Sequence, residues 1–250
     1  MGLTNGSDVF VSVSETGINT LFLYLQQQRS RLFNYGTQYF VAHKKELCVP
    51  LGKKQTLTVE SPIPVPGTEG LVGLEYGLQL TDLHIDLHPQ DAQLPPELSL
   101  PAQHFSFSAT LHLTIPFPKI PPDWEPTPED HRRPPTFQLE DPFCCKLQVF
   151  LVGGVEKVTD WVPAEGIFAD FVRMTVEQVE IVDIAPDCLE TILERYSLLT
   201  LRHGILNKLK YRVTQLALAF IEVGLSQSVS PNPSIEDNQI KLWLDVSVAP

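Results

Sequence analysis

The sequence predicts an α+β fold in which a long, highly curved antiparallel sheet wraps around a long C-terminal helix, with a shorter helix near the N-terminus. Three stretches lead to this prediction. Residues 105–117 place an apolar side chain at every second position, which is typical of a strand with one buried face. Residues 174–184 begin with a similar two-residue period. Residues 187–220 then change to the three- and four-residue spacing of an amphipathic helix.

The N-terminal region predicts a short strand and the shorter helix. Val9, Val11 and Val13 fall on alternate positions, as in a strand. Ser14 can then accept a hydrogen bond from the first turn of a helix that begins at Glu15. The apolar face of that helix consists of Ile18, Leu21, Phe22 and Leu25. We therefore expect a strand followed directly by a helix.

Long strands follow in the middle of the chain. Residues 78–87 read LQLTDLHIDL, and residues 105–117 alternate apolar with mostly polar side chains. At about 3.3 Å per residue the second stretch would reach roughly 43 Å. Most strands have only about five or six residues. A closing strand is predicted from the alternation of Ile240, Leu242, Leu244, Val246 and Val248.

Two of the long strands interrupt their alternation in the same way. Apolar residues in 78–85 and in 174–181 are spaced by two, then three, then two positions. A step of three turns the next side chain to the other face of a regular strand, and a β-bulge restores its direction. The spacing therefore predicts bulges near Thr81–Asp82 and Glu177–Gln178, which would let a long sheet curve.

The long C-terminal helix is predicted to begin at Asp187, a capping residue with Glu190 three positions later. Its apolar stripe continues to Phe220, with Gly204 as a weak point. At about 1.5 Å per residue the helix would extend roughly 50 Å. Because a helix of that length can bury its stripe only along a long sheet, we expect it to lie lengthwise against the curved layer.

A proline-rich segment, residues 116–142, interrupts the run of strands. It carries nine prolines, and proline cannot donate a hydrogen bond to a sheet. We predict an extended surface loop or flap there. A length of 250 residues is long for one domain and short for two. The expectation is a single domain over residues 1–250.

Composition restricts the partners and the location. The net charge of -12 and the pI near 4.9 argue against a nucleic-acid partner held by bulk charge. No apolar run is long enough for a transmembrane helix. The N-terminus lacks the basic and apolar regions of a signal peptide. These features predict a cytoplasmic protein, with a missing leader or leaderless export as alternatives.

The cysteines form no C-x-x-C pair. Cys144 and Cys145 are adjacent, and neighbouring residues on a strand face opposite ways, which suits zinc poorly. Cys48 and Cys188 stand alone in the sequence. Reduced structural thiols are the expected state.

The search for chemical motifs gives one weak metal candidate. His84, Asp86 and His88 would share one face of a strand, and imidazole with carboxylate suits a transition metal. The apolar residues between them take the buried face, so a solvent-exposed polar row is the preferred interpretation. No nucleophile elbow, P-loop or dinucleotide fingerprint is present. We therefore expect no catalytic residues, no metal and no cofactor, and hence no enzyme.

The order of elements resembles the tubular lipid-binding (TULIP) superfamily, which includes bactericidal/permeability-increasing (BPI) protein. The resembling segments are DVFVSVSETGINTLF, GLEYGLQLTDLHIDLHP, HFSFSATLHLTI and VEQVEIVDIAPDCLETILERYSLLTLRHGILNKL. They cover most of the chain as pattern and order, without a diagnostic motif. The resemblance implies BPI-like binding of an apolar chain. Relatives in clostridial toxin clusters imply a place in a protein assembly instead. The chain departs from the secreted two-module members in its length, its lack of a leader and its lack of an evident bridging cysteine pair.

Two functions follow from these expectations. The first is a binding module for a lipid or fatty acid held between the long helix and the curled sheet, where each buried methylene contributes about 0.8 kcal/mol. The apolar wall would consist of Phe105, Phe107, Leu111, Leu113, Ile192, Leu193, Tyr196 and Leu199. The second is a non-enzymatic structural or interaction component of a multiprotein assembly, with a filled core and a protein partner or homodimer contact.

Overall fold

β-Strands dominate the secondary structure of the protein. The computed structural model describes residues 4–65, 67–88, 93–116, 119–125, 127–130, 142–163, 166–182, 184, 190–191, 194–195, 198, 210–213 and 221–248. Its helices are α1 (Glu15–Gln28) and α2 (Gln38–Ala42), and a 3₁₀ turn covers Ser30–Leu32. The strands are β1 (Val9–Ser14), β2 (Asn34–Thr37), β3 (Thr58–Glu60), β4 (Ile63–Pro64), β5 (Gly73–Leu74), β6 (Gly77–Asp86), β7 (His104–Ile115), β8 (Phe143–Val162), β9 (Ile167–Val182), β10 (Lys210–Arg212), β11 (Ile221–Leu225), β12 (Ser234–Glu236) and β13 (Gln239–Val248).

These strands form three sheets. The largest joins seven strands in the order β10-β9-β8-β7-β6-β2-β3. In it β2 pairs antiparallel with β6 but parallel with β3, so the sheet is mixed rather than wholly antiparallel as predicted. In the second sheet β13 lies between β1 and β11 and also pairs with β12, while β4 and β5 form the third.

The chain divides into two compact units. Unit 1 comprises Met1–Thr20, His84–Ser108 and Val149–Pro250, and unit 2 comprises Leu21–Leu83 and Ala109–Gln148. Compact units can unfold together as one cooperative domain. A single domain over residues 1–250 therefore stays a prediction.

A core cluster of unit 1 lies against the central strand of the second sheet. Leu244 of β13 is buried in this cluster together with Val213, Val223 and Leu225. Leu242 and Val246 pack against the same cluster, because residues two apart on a strand share one face. The alternation predicted for the closing strand thus places its apolar row in the core.

A core cluster of unit 2 lies around α2. Phe40 of this helix is fully buried and clusters with Leu47 and Leu51, which follow the helix. Tyr39 and Leu57 pack against the cluster. The segment after α2 is therefore held in place by the apolar side chains of Leu47 and Leu51. The same segment supplies part of the wall of the pocket described below.

The polar row of β7 differs from the prediction of a solvent-facing surface. Ser106, Thr110 and Thr114 of this row are all buried. In unit 2, the Oγ1 atom of Thr114 accepts a hydrogen bond of 2.9 Å from the backbone N–H of Cys48. The segment that contains Cys48 therefore packs over this part of the polar row, and its main chain satisfies the buried Thr114 hydroxyl group.

The N-terminal elements confirm the prediction made from the sequence. β1 ends at Ser14 and α1 begins at Glu15. The Ser14 Oγ atom accepts a hydrogen bond of 3.1 Å from the backbone N–H of Gly17, as an N-cap residue does. The short helix of the predicted fold is therefore present.

The two predicted interruptions of strand alternation are also visible. Asp82 has a φ of 52° within β6, a left-handed conformation that a regular strand does not contain. In β9, Val176 and Val179 are both buried while Glu177 and Gln178 between them are exposed. In β9 the apolar side chains on both sides of the three-residue step therefore face the interior, as the spacing predicted.

The predicted long C-terminal helix is wrong. Lys210–Arg212 form β10, which pairs antiparallel with β9 so that Tyr211 lies opposite Val172. Within the described residues, α-helical conformation in this region is limited to positions 190, 191, 194, 195 and 198. α1, with 14 residues, is the longest helix in the described part of the chain. The protein is therefore mostly β, and the helical spacing did not decide the structure because tertiary packing overrides local periodicity.

The proline-rich segment 116–142 is described only at residues 116, 119–125, 127–130 and 142, where it contains turns and irregular chain. At one of these turns Asp130 N–H bonds to the carbonyl oxygen of Thr127 at 3.0 Å. Among the residues that can be described, no helix has the length and apolar character needed to cross a membrane.

Candidate functional site

An exposed aromatic pair lies at the end of the β8–β9 hairpin in unit 1. Trp161 of β8 is 46% exposed and Phe168 of β9 is 69% exposed. Their ring centroids are 5.1 Å apart, with an interplanar angle of 61°, which is the edge-to-face arrangement that aromatic rings prefer. The two rings therefore support each other while much of their apolar surface faces solvent.

Charged and polar side chains extend this surface along the hairpin. Asp170 bonds to the Lys157 Nζ atom at 2.8 Å and accepts a hydrogen bond of 2.7 Å from the Thr159 hydroxyl. Burial raises the pKa of Asp170, but these two donors outweigh it and the pKa lies below its ordinary value. The carboxylate is therefore ionised at neutral pH. We call the set Lys157, Thr159, Trp161, Phe168 and Asp170 the hairpin face.

Unit 2 contains a pocket of about 220 Å³. Part of its wall is apolar, and this part consists of Phe33, Val49, Leu51 and Leu80. Another part is built from side-chain amides, namely Gln26, Asn34, Gln55 and Gln79. Thr81 and Asp82 complete the lining. We call this the unit 2 pocket.

Hydrogen bonds hold the amide wall of the unit 2 pocket in place. The Gln79 side chain is 1% exposed. Its Nε2 donates to Val49 O at 2.7 Å and to Asn34 Oδ1 at 3.1 Å, and its Oε1 accepts from Val49 N at 2.9 Å. Asn34 Nδ2 in turn donates to Ser30 O at 2.6 Å. Because every bond fixes the next group, this wall is rigid.

The other side of the unit 2 pocket carries a short polar chain. Thr81 Oγ1 lies 3.0 Å from Asp82 Oδ2 and 3.0 Å from His112 Nε2. Burial lowers the pKa of His112, and the nearby Lys146 lowers it further. The imidazole is therefore neutral at neutral pH. Asp82 itself is exposed and belongs to the lining of the pocket.

Three glutamates of unit 1 lie close together. The carboxylate oxygens of Glu180, Glu190 and Glu194 come within 4.8 Å of one another, which among the described residues is the one group of three ligand-type side chains so close. Burial, the repulsion of Glu194 and a hydrogen bond to Glu194 together raise the pKa of Glu180 to about 7. The group therefore holds a proton near neutral pH.

The predicted metal candidate, His84 with Asp86 and His88, does not form a group of three such closely spaced ligand atoms. Asp86 is buried, and its Oδ1 accepts a hydrogen bond of 2.7 Å from the backbone N–H of His88. His84 is exposed. Asp86 thus satisfies the local main chain, and the row is not the uniformly solvent-exposed face that alternation indicated.

The predicted apolar wall is only partly described. Phe105 is 1% exposed, and Phe107, Leu111 and Leu113 are half-buried. The other members, Ile192, Leu193, Tyr196 and Leu199, lie outside the described residues. The long helix that was predicted to carry these four residues is contradicted, and the wall itself stays a prediction.

The prediction of reduced thiols is wrong for two cysteines. Cys48 and Cys144 form a disulfide across 96 residues of sequence. Cys145 is the free cysteine among the described residues. Nothing in the local sequence pairs such distant positions, since connectivity cannot be deduced from spacing alone.

The exposed aromatic residues and the amide wall were not recognised from the sequence. Trp161 and Phe168 stand on either side of a turn with Pro163 and Gly166, and this is the signal that would have found the hairpin face. The bulge prediction did indicate Thr81–Asp82 as irregular. Nothing in the sequence indicated that a pocket lies beside it.

No family model matches the chain, and no curated protein matches it either. The resemblance to the tubular lipid-binding superfamily therefore stays a prediction.

Proposed function

We propose that the protein is a non-catalytic interaction module that binds a partner protein through the hairpin face. The observation that carries this proposal is the exposure of the Trp161–Phe168 pair. Exposed apolar patches with polar surroundings are typical of interaction sites in soluble proteins. The second function expected from the sequence, an interaction component of an assembly, is the one that this surface supports.

Covering the two rings would supply much of the binding free energy. Aromatic side chains can bury about 150–250 Å² each. Removing even 150 Å² of ring surface from water would contribute about 4 kcal/mol. Tryptophan is also enriched among the residues that dominate interface energetics. The ion pair between Lys157 and Asp170 next to the rings provides the polar rim that such interfaces have.

Charge indicates what kind of partner fits. Residues 156–173 contain four acidic and two basic side chains, and the whole chain has a net charge of -12. Like charges oppose the association of two copies and the approach to an anionic membrane. The occupant that we propose is a protein with an apolar pocket surrounded by basic residues.

Photo-crosslinking tests the proposal in the cells that produce the protein. A photoreactive phenylalanine analogue replaces Phe168, and the same analogue at Leu23 of α1 is the control, because Leu23 is 59% exposed on a different element. We expect a specific protein adduct from position 168 and none from position 23. The crosslinked protein is then purified and titrated against the wild type and the variants Phe168→Ala and Leu23→Ala.

The expected outcome is a loss of affinity of tenfold or more for Phe168→Ala and little change for Leu23→Ala. Raising the salt concentration should slow association, because opposite charges steer the encounter. Adducts only between copies of this chain, adducts only with lipid, or equal affinities for the two variants would each contradict the proposal.

Binding of an apolar chain stays a prediction from the sequence, now without its helical wall. Phe105, its first wall residue, is 1% exposed and is already packed. Organic extraction of the purified protein, followed by mass spectrometry, tests this function. One lipid per chain would support it, whereas a lipid-free protein that takes up no fluorescent fatty acid would contradict it.

A further inference from the structure

We propose that the unit 2 pocket binds a small organic cation, namely an ammonium or amidinium group carried on a compact apolar body. The site lies in unit 2 and shares no residue with the hairpin face. A test of this cation site is therefore independent of the test of the proposed protein partner.

The charge of the lining selects a cation. Of the described residues that line the pocket, Asp82 alone carries a formal charge. His112 touches the lining through Thr81, but burial lowers its pKa and the ring is neutral at neutral pH. Two ammonium groups lie near the lining without belonging to it: Lys44 donates to the main-chain oxygen of Gln55 at 2.9 Å, and Lys146 lies near His112. The chain as a whole, at a net charge of -12, also attracts cations and repels anions.

The neutral part of the lining sets the rest of the ligand. Phe33, Val49, Leu51 and Leu80 offer an apolar surface for a hydrocarbon or aromatic body. The amide side chains beside them offer both donors and acceptors but no charge. Such a combination orients a ligand that is apolar at one end and polar at the other. A volume of about 220 Å³ restricts that ligand to a small molecule.

The pocket is organised before a ligand arrives. Val49 holds the Gln79 amide through both its N–H and its carbonyl oxygen. Cys48, the preceding residue, is joined to Cys144 by the disulfide, and its N–H is held by Thr114. A wall fixed from both sides loses little conformational freedom on binding, which favours affinity.

The backbone at Asp82 permits a conservative substitution that tests the role of its charge. Its φ of 52° lies in the left-handed region, which asparagine and glycine adopt at least as readily as aspartate. The backbone conformation therefore does not require a carboxylate at this position. Strained residues of this kind cluster at ligand sites. Asp82→Asn is consequently a substitution that removes the charge while keeping both the conformation and an acceptor for the Thr81 hydroxyl.

Three matched compounds test the proposal by methyl-detected NMR of the full chain: phenethylammonium, phenethyl alcohol and phenylacetate. They share an aromatic body and differ in charge at the other end. We expect the ammonium compound to shift the methyl signals of Val49, Leu51 and Leu80 and to bind most tightly. Asp82→Asn should weaken its binding about fivefold, the upper end for an exposed ion pair. Asp123 is an exposed residue of unit 2 outside the pocket lining, and Asp123→Asn removes the same charge as Asp82→Asn. This control variant should leave the binding of the ammonium compound unchanged.

The ranking of the three compounds decides the matter. Equal binding of all three, preference for the carboxylate, or shifts confined to residues elsewhere would overturn the proposal. Equal loss of affinity in Asp82→Asn and Asp123→Asn would overturn it as well, because the effect would then come from overall charge. Methyl spectra of the free variants show whether each is folded, so a misfolded variant is recognised before it is compared.

Discussion

At the scale of single residues, Glu180 is the most perturbed carboxyl group of the described chain for which a pKa value is resolved. Burial, the repulsion of Glu194 and Glu97, and a hydrogen bond to Glu194 raise its pKa from 4.5 to about 7. Between pH 4.5 and about pH 7, the folded protein therefore keeps a proton on Glu180 that the unfolded chain has already released. Stability that depends on this proton is fully present below pH 4.5 and is lost as the pH rises through about 7.

Replacing Glu180 with Gln should remove this pH dependence. The Gln amide can donate to Glu194 as the protonated carboxyl group does, but it cannot ionise. We expect Glu180→Gln to match the wild type near pH 5 and to be more stable near pH 8, by roughly 1 kcal/mol after allowance for solvent screening. Urea unfolding at both pH values measures the difference.

Asp123→Asn is the control for the pH experiment, because Asp123 is an exposed carboxylate distant in sequence from the glutamate group. It should lose stability between pH 5 and pH 8 just as the wild type does. If Glu180→Gln also followed the wild-type curve, the raised pKa would not be a determinant of stability.

At the scale of elements, the close approach of β8 to its neighbours depends on one glycine. A Cβ atom added at Gly153 would come 3.0 Å from Phe105 Cζ and would clash directly with the main-chain oxygen of Thr175. Phe105 is 1% exposed and cannot move aside without opening the core. The two long strands and the aromatic ring therefore fit together only because position 153 has no side chain.

We predict that Gly153→Ala destabilises the protein by about 3 kcal/mol or more, since the atom in the way belongs to the backbone. Gly224→Ala on β11 is the matched control. A Cβ atom there meets nothing within 4 Å, so the change should be neutral or slightly stabilising. The free energy of unfolding in urea checks both variants, and similar values for the two would refute the packing argument.

The elements also show how far local sequence reasoning reaches. β1, α1 and its Ser14 cap were predicted correctly, because each depends on residues close together in the chain. The helix over 187–220 was predicted wrongly, because Tyr211 and Arg212 are held in β10 by pairing with β9. Val213 is drawn into the cluster around Leu244. Partners so distant in the sequence leave no mark on local periodicity.

At the scale of the whole molecule, the disulfide is the longest covalent constraint in the described chain. It joins Cys48, after α2, to Cys144 in β8, at a sequence separation of 96. Such a bridge lowers the entropy of the unfolded chain, more for longer loops. Disulfides persist in oxidising compartments and are rare in the cytosol. The cytoplasmic location stays a prediction, and this bond gives a direct way to examine it.

Removing the bridge should lower the free energy of unfolding by about 2–4 kcal/mol. The double variant Cys48→Ser/Cys144→Ser is compared with Cys145→Ser, which changes the adjacent free cysteine and leaves the bond intact. Urea unfolding without reductant should separate the two, and a reducing agent should bring the wild type to the level of the double variant. Equal stability of all three proteins would mean that the bridge does not constrain the chain in solution.

The sequence predicted only single features of the candidate sites. It indicated an irregularity at Thr81–Asp82, which proved to border the unit 2 pocket. It gave no sign of the hydrogen bonds of Gln79, because Asn34 and Gln79 come together only when β2 pairs with β6, and Val49 reaches them from the segment after α2. It also placed His84, Asp86 and His88 on one wet face, whereas Asp86 is buried.

Local sequence patterns were enough to predict the alternating strands, the N-terminal strand and helix with their cap, and the acidic charge of the chain. These features depend on side-chain type and on spacing over a few residues. The strand at Lys210–Arg212, the disulfide, the amide-lined pocket and the exposure of Trp161 and Phe168 became visible only in the folded chain. Each of these features depends on which distant segments pack together, and local spacing does not record that.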